Sequence, residues 1–482
     1  MIKVGFLLGA GASFPFGIPM MRQFYDQFVD YIRTARAHCM PLIERLADSA
    51  TSPDLEVLIQ RLEQVRAIRS GLDILGDGGQ GIQHQIDLAE ELRGYLDMFL
   101  IETCEKFDVA KVKDKLSQLV QLASDCNARV FTTNYDRLFE VASASVGLSY
   151  SDGFEAASSR PESKWNGEFS QGLRLIKLHG SVNWYEEEGS KNLFRLERGY
   201  SLPSHEYRLT HGTRALRPLM IIPTLEKAVL KQPYAGLLTQ FSDALNEVDV
   251  FVVIGNSLRD DHLRNTVIAR MHRLNLVLVN PFARDQLSIA ERPESTQAVP
   301  LGIEQFIDFG LEPFRLLLTE LDALSQHERP SRIAAFAEQL AVIADRSQGM
   351  SEDDNNRLLG LKSGSVEREL SVLTSADRLV HPLLLDEVRN LALHATDEVK
   401  IAAIDALVDA RGSDSAQVLS DIVRTSASLT VRAEAALALH SLGSGGGLAG
   451  DVLARTVAEI DGRDVVATLL TRPAGTESSG AT

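Results

Sequence analysis

The sequence is poor in cysteine and in basic residues, and it has no long apolar run. Its three cysteines are isolated from one another and form no C-x-x-C pair; they are Cys39, Cys104 and Cys126. This usage excludes a disulfide framework and a zinc ribbon. No uninterrupted apolar stretch approaches the roughly 20 residues that a membrane helix needs. We therefore expect a cytoplasmic protein without a membrane partner.

The charge balance is strongly acidic. There are 66 acidic and 49 basic residues, giving a formal net charge of -17. Such a field repels nucleic acid, so we expect no direct nucleic-acid binding. The apolar content of 44% and the mean hydropathy of -0.05 are typical of a globular protein. At 482 residues the chain exceeds one ordinary core, which predicts two or three domains.

What the sequence does contain is an apolar run, Val4–Leu8, that leads into Gly9-Ala-Gly-Ala-Ser13 and then Gly17-Ile-Pro19. Glycines at a strand-to-helix turn let a phosphate approach the backbone, and the helix offers free N–H groups. Phe14 replaces the third glycine of the usual dinucleotide fingerprint, so this stretch alone fits a structural turn equally well. Its interrupting glycines and single basic flank, Lys3, favour a buried strand over a secretion signal.

Four further apolar runs end in small or polar residues. They are Ala128–Thr132 before Thr133-Asn-Tyr-Asp136, Leu175–Leu178 before His179-Gly-Ser181, Val250–Ile254 before Gly255-Asn-Ser257, and Leu276–Val279 before Asn280-Pro281. Each motif alone also fits an Asx turn, a helix cap or a loop histidine. Because carboxyl ends of parallel strands share one edge, the five runs together predict a doubly wound, Rossmann-like α/β sheet with a ligand crevice.

Helical periodicity fills the interval between the first two strands. It follows Pro19 and continues through residues 53–107, which predicts a helical module inserted at about residues 38–125. The cluster Gly76-Asp-Gly-Gly-Gln-Gly81 interrupts it. No Lys-Ser or Lys-Thr follows that cluster, so we interpret it as a flexible connector and not as a phosphate loop.

The order of these motifs resembles the NAD-binding domain of the sirtuins (silent information regulator proteins) over about residues 1–310. More narrowly, it resembles the bacterial sirtuin-like NAD hydrolases of antiphage defence, because Thr132-Thr-Asn-Tyr-Asp136 stands where deacylases carry Thr-Gln-Asn-Ile-Asp. The resemblance implies that the chain is an NAD+ glycohydrolase, with NAD as its substrate. It would cleave the nicotinamide–ribose bond and release nicotinamide and ADP-ribose.

The resemblance also implies a set of site residues. The catalytic candidates are Asn134, Asp136 and His179; the candidates for NAD binding are Gly9, Ala10, Gly11, Ser13, Ile18, Pro19, Thr133, Gly255, Asn256, Ser257 and Asn280. The chemistry is coherent, since cleavage through an oxocarbenium-like state needs groups that orient ribose and water. Histidine, with an ordinary pKa of about 6.5, suits the role of base.

One departure from the deacylases concerns metal. They carry a four-cysteine zinc ribbon between the histidine loop and the Gly-x-Ser strand, whereas residues 180–254 here contain no cysteine. We therefore expect no metal and favour water as the acceptor. His205 and His211 are interpreted as loop histidines, and Pro223 and Lys227 are not assigned to the site. For Trp165, Trp184 and Tyr185, aromatic packing is favoured over a lid on nicotinamide.

Two other functions remain open at the level of sequence. A zinc-free protein deacylase would use the same cofactor site, and a non-catalytic NAD or ADP-ribose sensor would bind without turnover. Because constant hydrolysis would deplete the host's NAD, we expect a restrained homo-oligomer. A phage-derived trigger or a protein partner, such as the Argonaute-like or ring-shaped ATPase partners of this family, would release it.

The remainder of the chain is predicted to be helical. We place the NAD domain at residues 1–325, an all-α domain at 326–472 and a disordered tail at 473–482. Asp397–Leu407 aligns with Leu429–Leu439, an offset of 32 residues that suggests HEAT-like repeats; a small helical bundle is the alternative. Residues 356–370 fit a helix-turn-helix, for which protein packing is favoured over DNA binding.

Overall fold

The computed structural model divides into two compact units, Met1–Ile343 and Ala344–Thr482. It describes residues 2–47, 55–67, 80–156, 162–170, 172–187, 190–196, 206–209, 212–220, 232–271, 273–283, 296–346, 352–374, 381–410 and 415–443. The predicted tail and the residues His205, His211, Pro223 and Lys227 lie outside these ranges. The predicted domain boundary at residue 325 stays a prediction.

In the residues that the structure describes, twelve strands form two sheets. In chain order the strands are β1 Val4–Leu8, β2 Arg129–Thr132, β3 Tyr150–Ser151, β4 Glu162–Lys164, β5 Leu173–Lys177, β6 Gly180–Glu187, β7 Leu193–Leu196, β8 Glu206–Leu209, β9 Gly212–Met220, β10 Val250–Ile254, β11 Asn275–Val279 and β12 Thr296–Val299. The first sheet has seven strands in the order β12-β11-β10-β1-β2-β5-β3, and all its pairings are parallel. The doubly wound Rossmann-like fold is thus confirmed.

The parallel sheet is covered on both faces. All five residues of β1 and all five of β10 are buried, as expected for central parallel strands. Phe6 packs edge-on against Phe314, and Phe131 packs edge-on against Phe241, at ring distances of 6.2 and 5.1 Å. Because β1 and β2 pair Leu7 with Phe131, the two contacts lie on opposite faces of the sheet.

Helices surround this sheet and fill the interval between β1 and β2. Those of the first unit are Ala10–Ser13, Met21–Ala35, Met40–Ala47, Leu55–Ala67, Gln80–Cys104, Val109–Lys111, Ser117–Asp125, Leu138–Ser145, Tyr234–Glu247, Asp261–Ile268 and Ile303–Ala323, followed by Arg329–Arg346. The expected connector at residues 76–81 was partly wrong, because Gln80 and Gly81 open the longest of these helices. Residues 76–79 lie outside the described ranges.

A second sheet, absent from the sequence-based prediction, is formed by β4 and by β6 to β9. Its strand order is β4-β7-β6-β9-β8, and its pairings are antiparallel. Trp184 in β6 is fully buried and lies 5.0 Å from Phe154 and 5.7 Å from Trp165 between ring centroids. This packing agrees with the interpretation of the tryptophans as a structural cluster.

The second unit consists of helices in the part of it that the structure describes. They are Glu352–Leu361, Val366–Leu373, Pro382–His394, Asp397–Ala410, Ser415–Thr425 and Leu429–Gly443. The last four form two consecutive helix pairs that pack on one another. The aligned residues are buried in both copies, Val399 with Val431, Ala403 with Ala435 and Leu407 with Leu439. Their assignment to HEAT-like repeats stays a prediction.

Among the helices of the described ranges, none combines the length and the apolar character needed to traverse a bilayer.

Candidate functional site at the carboxyl edge of the parallel sheet

The predicted site residues follow the ends of adjacent parallel strands. Leu8 pairs with Thr132 on one side and with Ile254 on the other, and Thr132 pairs in turn with Lys177. The loops that begin at Gly9, Thr133, Leu178, Gly255 and Asn280 therefore leave the same edge of the sheet. The strand order reverses between β1 and β10, which is where open α/β sheets bind ligands.

The glycine turn packs directly against the loop after β10. The N–H of Gly9 donates to Ile254 O and that of Gly11 to Gly255 O, both at 2.9 Å. A Cβ at Gly9 would lie 2.5 Å from Asn256 Cα, and one at Gly255, where φ is +61°, would lie 2.3 Å from Ala12 N. Contact between the two loops is therefore a structural reason for glycine at both positions.

The same hydrogen bonds limit which amides a phosphate could reach. The N–H groups of Gly9 and Gly11 donate to the neighbouring loop, and that of Ala12 donates to Gly9 O at 2.8 Å. The backbone N–H groups of these three residues are therefore already used within the protein. Ala10 and Gly11 are half-buried at the mouth of the turn.

Three predicted residues from two strand ends meet in one hydrogen-bonded cluster. Ser13 Oγ donates to Asp136 Oδ2 at 2.6 Å, and Asn134 Nδ2 donates to Ser13 Oγ at 2.7 Å and to Gly9 O at 2.8 Å. Asp136 Oδ1 accepts the N–H of Leu138 at 3.1 Å. Both amide hydrogens of Asn134 are committed within the protein, so its carbonyl oxygen is the part left to contact a substrate.

A buried lysine lies beneath this cluster. Lys177 is fully buried at the end of β5, and its Nζ donates to Asp136 O at 2.5 Å, to Glu140 Oε1 at 2.8 Å and to Ser181 Oγ at 2.7 Å. Lys177 therefore joins the loop of residues 133–136 to the beginning of β6, which directly follows His179. Sequence reasoning missed it, although a lysine inside the apolar run Leu175–Leu178 is the signal that could have found it.

Burial dominates the electrostatics of Asp136. Loss of solvent raises the pKa of this carboxyl, and Glu140 adds to the rise, while the charge of Lys177 and the hydrogen bonds from Ser13 and Leu138 oppose it. The net effect is a pKa above the ordinary value. Keeping Asp136 ionised therefore costs free energy that its neighbours only partly offset.

His179 is held by an acidic partner from another strand end. Its Nε2 lies 3.1 Å from Asp260 Oδ2, and both side chains are largely buried. Asp260 also caps the helix Asp261–Ile268, because its Oδ1 accepts the N–H of His262 at 2.9 Å and of Leu263 at 3.3 Å. The pairing of Asp260 with His179 was not predicted from the sequence.

The Asp260 carboxylate is stabilised in its charged form. Burial alone would raise its pKa, but the hydrogen bond and charge of His179, with the two backbone N–H donors, lower the pKa below the ordinary value. Asp260 is therefore an anion at neutral pH, placed to fix the orientation of the His179 ring.

The other predicted residues take separate positions along the edge. Asn256 Nδ2 donates to Thr133 Oγ1 at 3.1 Å and its Oδ1 accepts the N–H of Leu258 at 2.8 Å, so this side chain bridges two loops. Asn280 Oδ1 accepts the N–H of Phe282 at 2.9 Å in an Asx turn. Ser257 is exposed, Ile18 is buried and Pro19 is half-buried. None of these five takes part in a hydrogen bond of the Ser13–Asn134–Asp136 cluster that the structure describes.

The fold and the polar residues at the carboxyl edge of the parallel sheet together define a class of protein. It is a doubly wound α/β protein with polar side chains gathered where the strand order reverses. Within it, a family model for the SIR2-like domain matches residues 128–298, from the beginning of β2 into β12. This part of the chain is therefore similar to the SIR2-like domain.

Solved structures of Sir2 proteins are also similar to this chain. A Sir2 homologue in complex with NAD is 16% identical, with 66% of this chain and 90% of that chain covered at a TM-score of 0.37. A mutant Sir2 homologue in complex with ADP-ribose is 16% identical, with 66% and 93% covered at a TM-score of 0.36. No curated protein matches the chain in sequence.

Proposed function

We propose that this protein is an NAD+ glycohydrolase. The observation that carries the proposal is the convergence of Asn134, Asp136 and His179 on adjacent loops of one sheet edge, with Lys177 bonded to Asp136 O and to Ser181, two residues after His179. In the reaction, the bond between the nicotinamide nitrogen and ribose C1′ breaks, and its electron pair leaves with nicotinamide. The oxygen of water bonds to C1′, and one proton is released, so the products are nicotinamide, ADP-ribose and H⁺.

His179 is assigned the role of base. It takes the proton that water or a ribose hydroxyl loses and passes it to solvent. The Asp260 carboxylate, 3.1 Å from Nε2, stabilises the imidazolium that forms and fixes the ring in one orientation. Asp260 is thus a positioning residue that acts through His179.

Asn134 and Asp136 are assigned to the ribose side of the reacting bond. Ser13 and Gly9 fix the Asn134 amide, so that its oxygen orients the ribose or the attacking water. Asp136 holds Ser13 and, being buried, adds negative charge near an oxocarbenium-like transition state that carries positive charge. Gly9, Ala10, Gly11, Ser13, Ile18, Pro19, Thr133, Gly255, Asn256, Ser257 and Asn280 are proposed to contact the rest of NAD.

Water is favoured over an acyl group as the acceptor. Strands β6 to β9 of the antiparallel sheet lie where deacylases carry the zinc ribbon, and residues 180–254 contain no cysteine that could build one. The deciding experiment separates products by chromatography after incubation of NAD with the full chain under the condition that activates it, with and without an acetyl-lysine peptide. We expect ADP-ribose in both reactions. O-acetyl-ADP-ribose formed only with peptide would identify a deacylase, and bound but uncleaved NAD would identify a sensor.

The biological role proposed is a regulated, NAD-depleting effector of antiphage defence. It is supported by the resemblance to defence hydrolases and by a separate helical unit that carries none of the proposed catalytic residues. We propose a homo-oligomer held inactive until a trigger or a partner acts. In cells that carry the chain, NAD should fall after phage infection with the wild type and stay constant with Asn134→Ala. An equal fall in both strains would contradict this role.

A further inference from the structure

A cluster of metal-ligand side chains lies in the helical insertion, apart from the sheet edge. His38 and Cys39 belong to the short 3-10 helix Ala37–Cys39, and Glu91 belongs to the helix Gln80–Cys104. One ligand atom from each of the three residues lies within 4.8 Å of the other two. No part of the proposed hydrolysis uses these residues.

The distances centre on one atom of His38. Its Nε2 lies 3.0 Å from Glu91 Oε1 and 3.5 Å from Cys39 Sγ. A tetrahedral zinc ion bonds nitrogen and oxygen at about 2.0–2.1 Å and sulfur at about 2.3 Å, which places neighbouring N and S ligands about 3.5 Å apart and N and O ligands about 3.3 Å apart. The two distances at Nε2 are therefore close to the edges of a zinc coordination tetrahedron.

The cluster is shielded from solvent on the side of Cys39 and exposed to solvent on the side of His38 and Glu91. Cys39 is fully buried, whereas the side chains of His38 and Glu91 are 55% and 41% exposed. An ion could therefore reach the cluster from solvent and still bind a sulfur held at its rear. The open side leaves a fourth position for water.

A second layer of contacts orients Glu91. Tyr95 OH donates to Glu91 Oε1 at 2.8 Å, and the guanidinium of Arg36 lies over the Tyr95 ring, 4.8 Å from its centroid. Outer hydrogen bonds of this kind hold ligands in place and tune metal affinity. Arg36 is the cation next to the cluster, and binding must tolerate its charge.

We propose that His38, Cys39 and Glu91 form a Zn²⁺ site with three protein ligands and one water. The mixed nitrogen, sulfur and oxygen set suits zinc better than the hard cations Mg²⁺ and Ca²⁺, which prefer oxygen alone. On binding, the bond between the Cys39 sulfur and its hydrogen breaks, the thiolate bonds to the metal, and the proton passes to solvent. The ion would join the beginning of the insertion to its longest helix, across 53 positions of sequence.

Cobalt is the most informative probe of this site, because a thiolate bound to Co²⁺ gives a charge-transfer band in the near ultraviolet. The full-length protein, stripped with chelator, is titrated with Co²⁺ and then with Zn²⁺. We expect one Co²⁺ per chain with the thiolate band, and displacement of Co²⁺ by one equivalent of Zn²⁺. Binding that saturates without the thiolate band, or no stoichiometric binding, would overturn the proposal.

Variants separate this site from adventitious binding. Cys39→Ser should abolish the band, His38→Ala and Glu91→Gln should weaken binding, and Tyr95→Phe should keep the band with affinity lowered about 10–100-fold. His84→Ala, an exposed histidine on the same helix as Glu91, and Cys126→Ser should both bind like the wild type. Circular dichroism of each variant checks the fold. Equal Co²⁺ spectra for folded wild type and folded Cys39→Ser would contradict the assignment.

Zinc should also stabilise the protein if it binds only the folded chain. At a free zinc concentration about 100 times the dissociation constant, the gain is about 2.7 kcal/mol, which the melting temperature reports. We expect this rise in the wild type and in His84→Ala, and its loss in His38→Ala. An identical rise in His38→Ala would contradict the site, whatever the fate of the proposed NAD hydrolysis.

Discussion

At the scale of single residues, the site depends on one buried positive charge. Lys177 is fully buried and joins the loop carrying Asn134 and Asp136 to the beginning of β6, which directly follows His179. A lysine is rarely buried unless it is paired, and here Glu140 is the pairing carboxylate at 2.8 Å. Lys177 therefore contributes to function by holding this loop and the beginning of β6 in place.

Replacing this lysine tests that role. Lys177→Met removes the charge, leaves Glu140 buried without its partner, and should lower the free energy of unfolding by about 3–5 kcal/mol. Urea unfolding followed by circular dichroism measures the loss. Lys113→Met, at an exposed position, is the matched control and should change stability by less than about 0.5 kcal/mol. Similar losses in both variants would contradict the role of Lys177.

The pairing of Asp260 with His179 makes a prediction about pH. Because the folded protein lowers the pKa of Asp260, this carboxylate contributes stability above its unfolded pKa of about 3.9, and the contribution is lost as pH falls through the folded value. Asp260→Asn should therefore be less stable than the wild type at pH 7, with a gap that narrows below about pH 4. Denaturant titrations at several pH values measure it, and a gap that widens in acid would contradict the assignment.

At the scale of elements, two loops contact each other so closely that only glycine fits. Gly255 has φ of +61°, and a Cβ there would lie 2.3 Å from Ala12 N. Gly147 has φ of +71°, yet a Cβ there would meet nothing within 4 Å. Substitutions at these two glycines therefore separate the cost of backbone strain from the cost of a clash between the loops.

We expect Gly147→Ala to cost about 1–2 kcal/mol from the left-handed backbone alone. Gly255→Ala should cost about 1–3 kcal/mol more, because the added carbon forces the two loops apart. Thermal unfolding of both variants gives the comparison, and NAD binding by calorimetry should be lost only in Gly255→Ala. Equal stability of the two variants would show that the loops are not in contact in solution.

The elements also show what the sequence could and could not predict. The five strands of the sheet centre were predicted because buried parallel strands read as continuous apolar runs. Strand β3 has two residues and β12 reads Thr-Gln-Ala-Val, so neither produces that pattern. The antiparallel sheet was missed because several of its strands have only three or four residues, and their pairing depends on contacts distant in sequence.

The candidate site also has a part that the sequence predicted and a part that it did not. Asn134, Asp136 and His179 were identified through motifs that follow predictable strands. The pairings of these residues were not predicted, since Ser13 bonds to Asp136 across 123 positions and Asp260 contacts His179 across 81. Which hydroxyl or carboxylate completes a pair is decided by the order of strands in the sheet, and sequence order does not give it.

At the scale of the whole molecule, the chain contains two compact units with different tasks in our account. The first unit holds the proposed NAD site and the proposed zinc site. In the second, Ala403 and Ala435 are fully buried at equivalent positions of two helix pairs, so small residues set how closely the helices pack.

Placing a larger side chain at one of those positions tests whether the helix pairs lose stability independently of the parallel sheet. Ala403→Leu should lower stability by about 1–3 kcal/mol, because the buried position leaves no room for three more carbons. Hydrogen exchange monitored by mass spectrometry should show faster exchange in residues 382–443 and unchanged exchange in β1 and β10. Faster exchange throughout the chain would show that the effect is not confined to the second unit.

The central claim is that Asn134 and His179 act directly in cleavage of NAD. The most direct measurement is nicotinamide release from NAD, under whatever condition activates the wild type, by the wild type, Asn134→Ala, His179→Ala and His327→Ala. His327 is exposed and belongs to none of the motifs of the candidate site, so it controls for the loss of an imidazole. We predict that release persists in His327→Ala and is lost in the other two variants while they remain folded. Nicotinamide release at the wild-type rate by folded Asn134→Ala and His179→Ala would contradict the account.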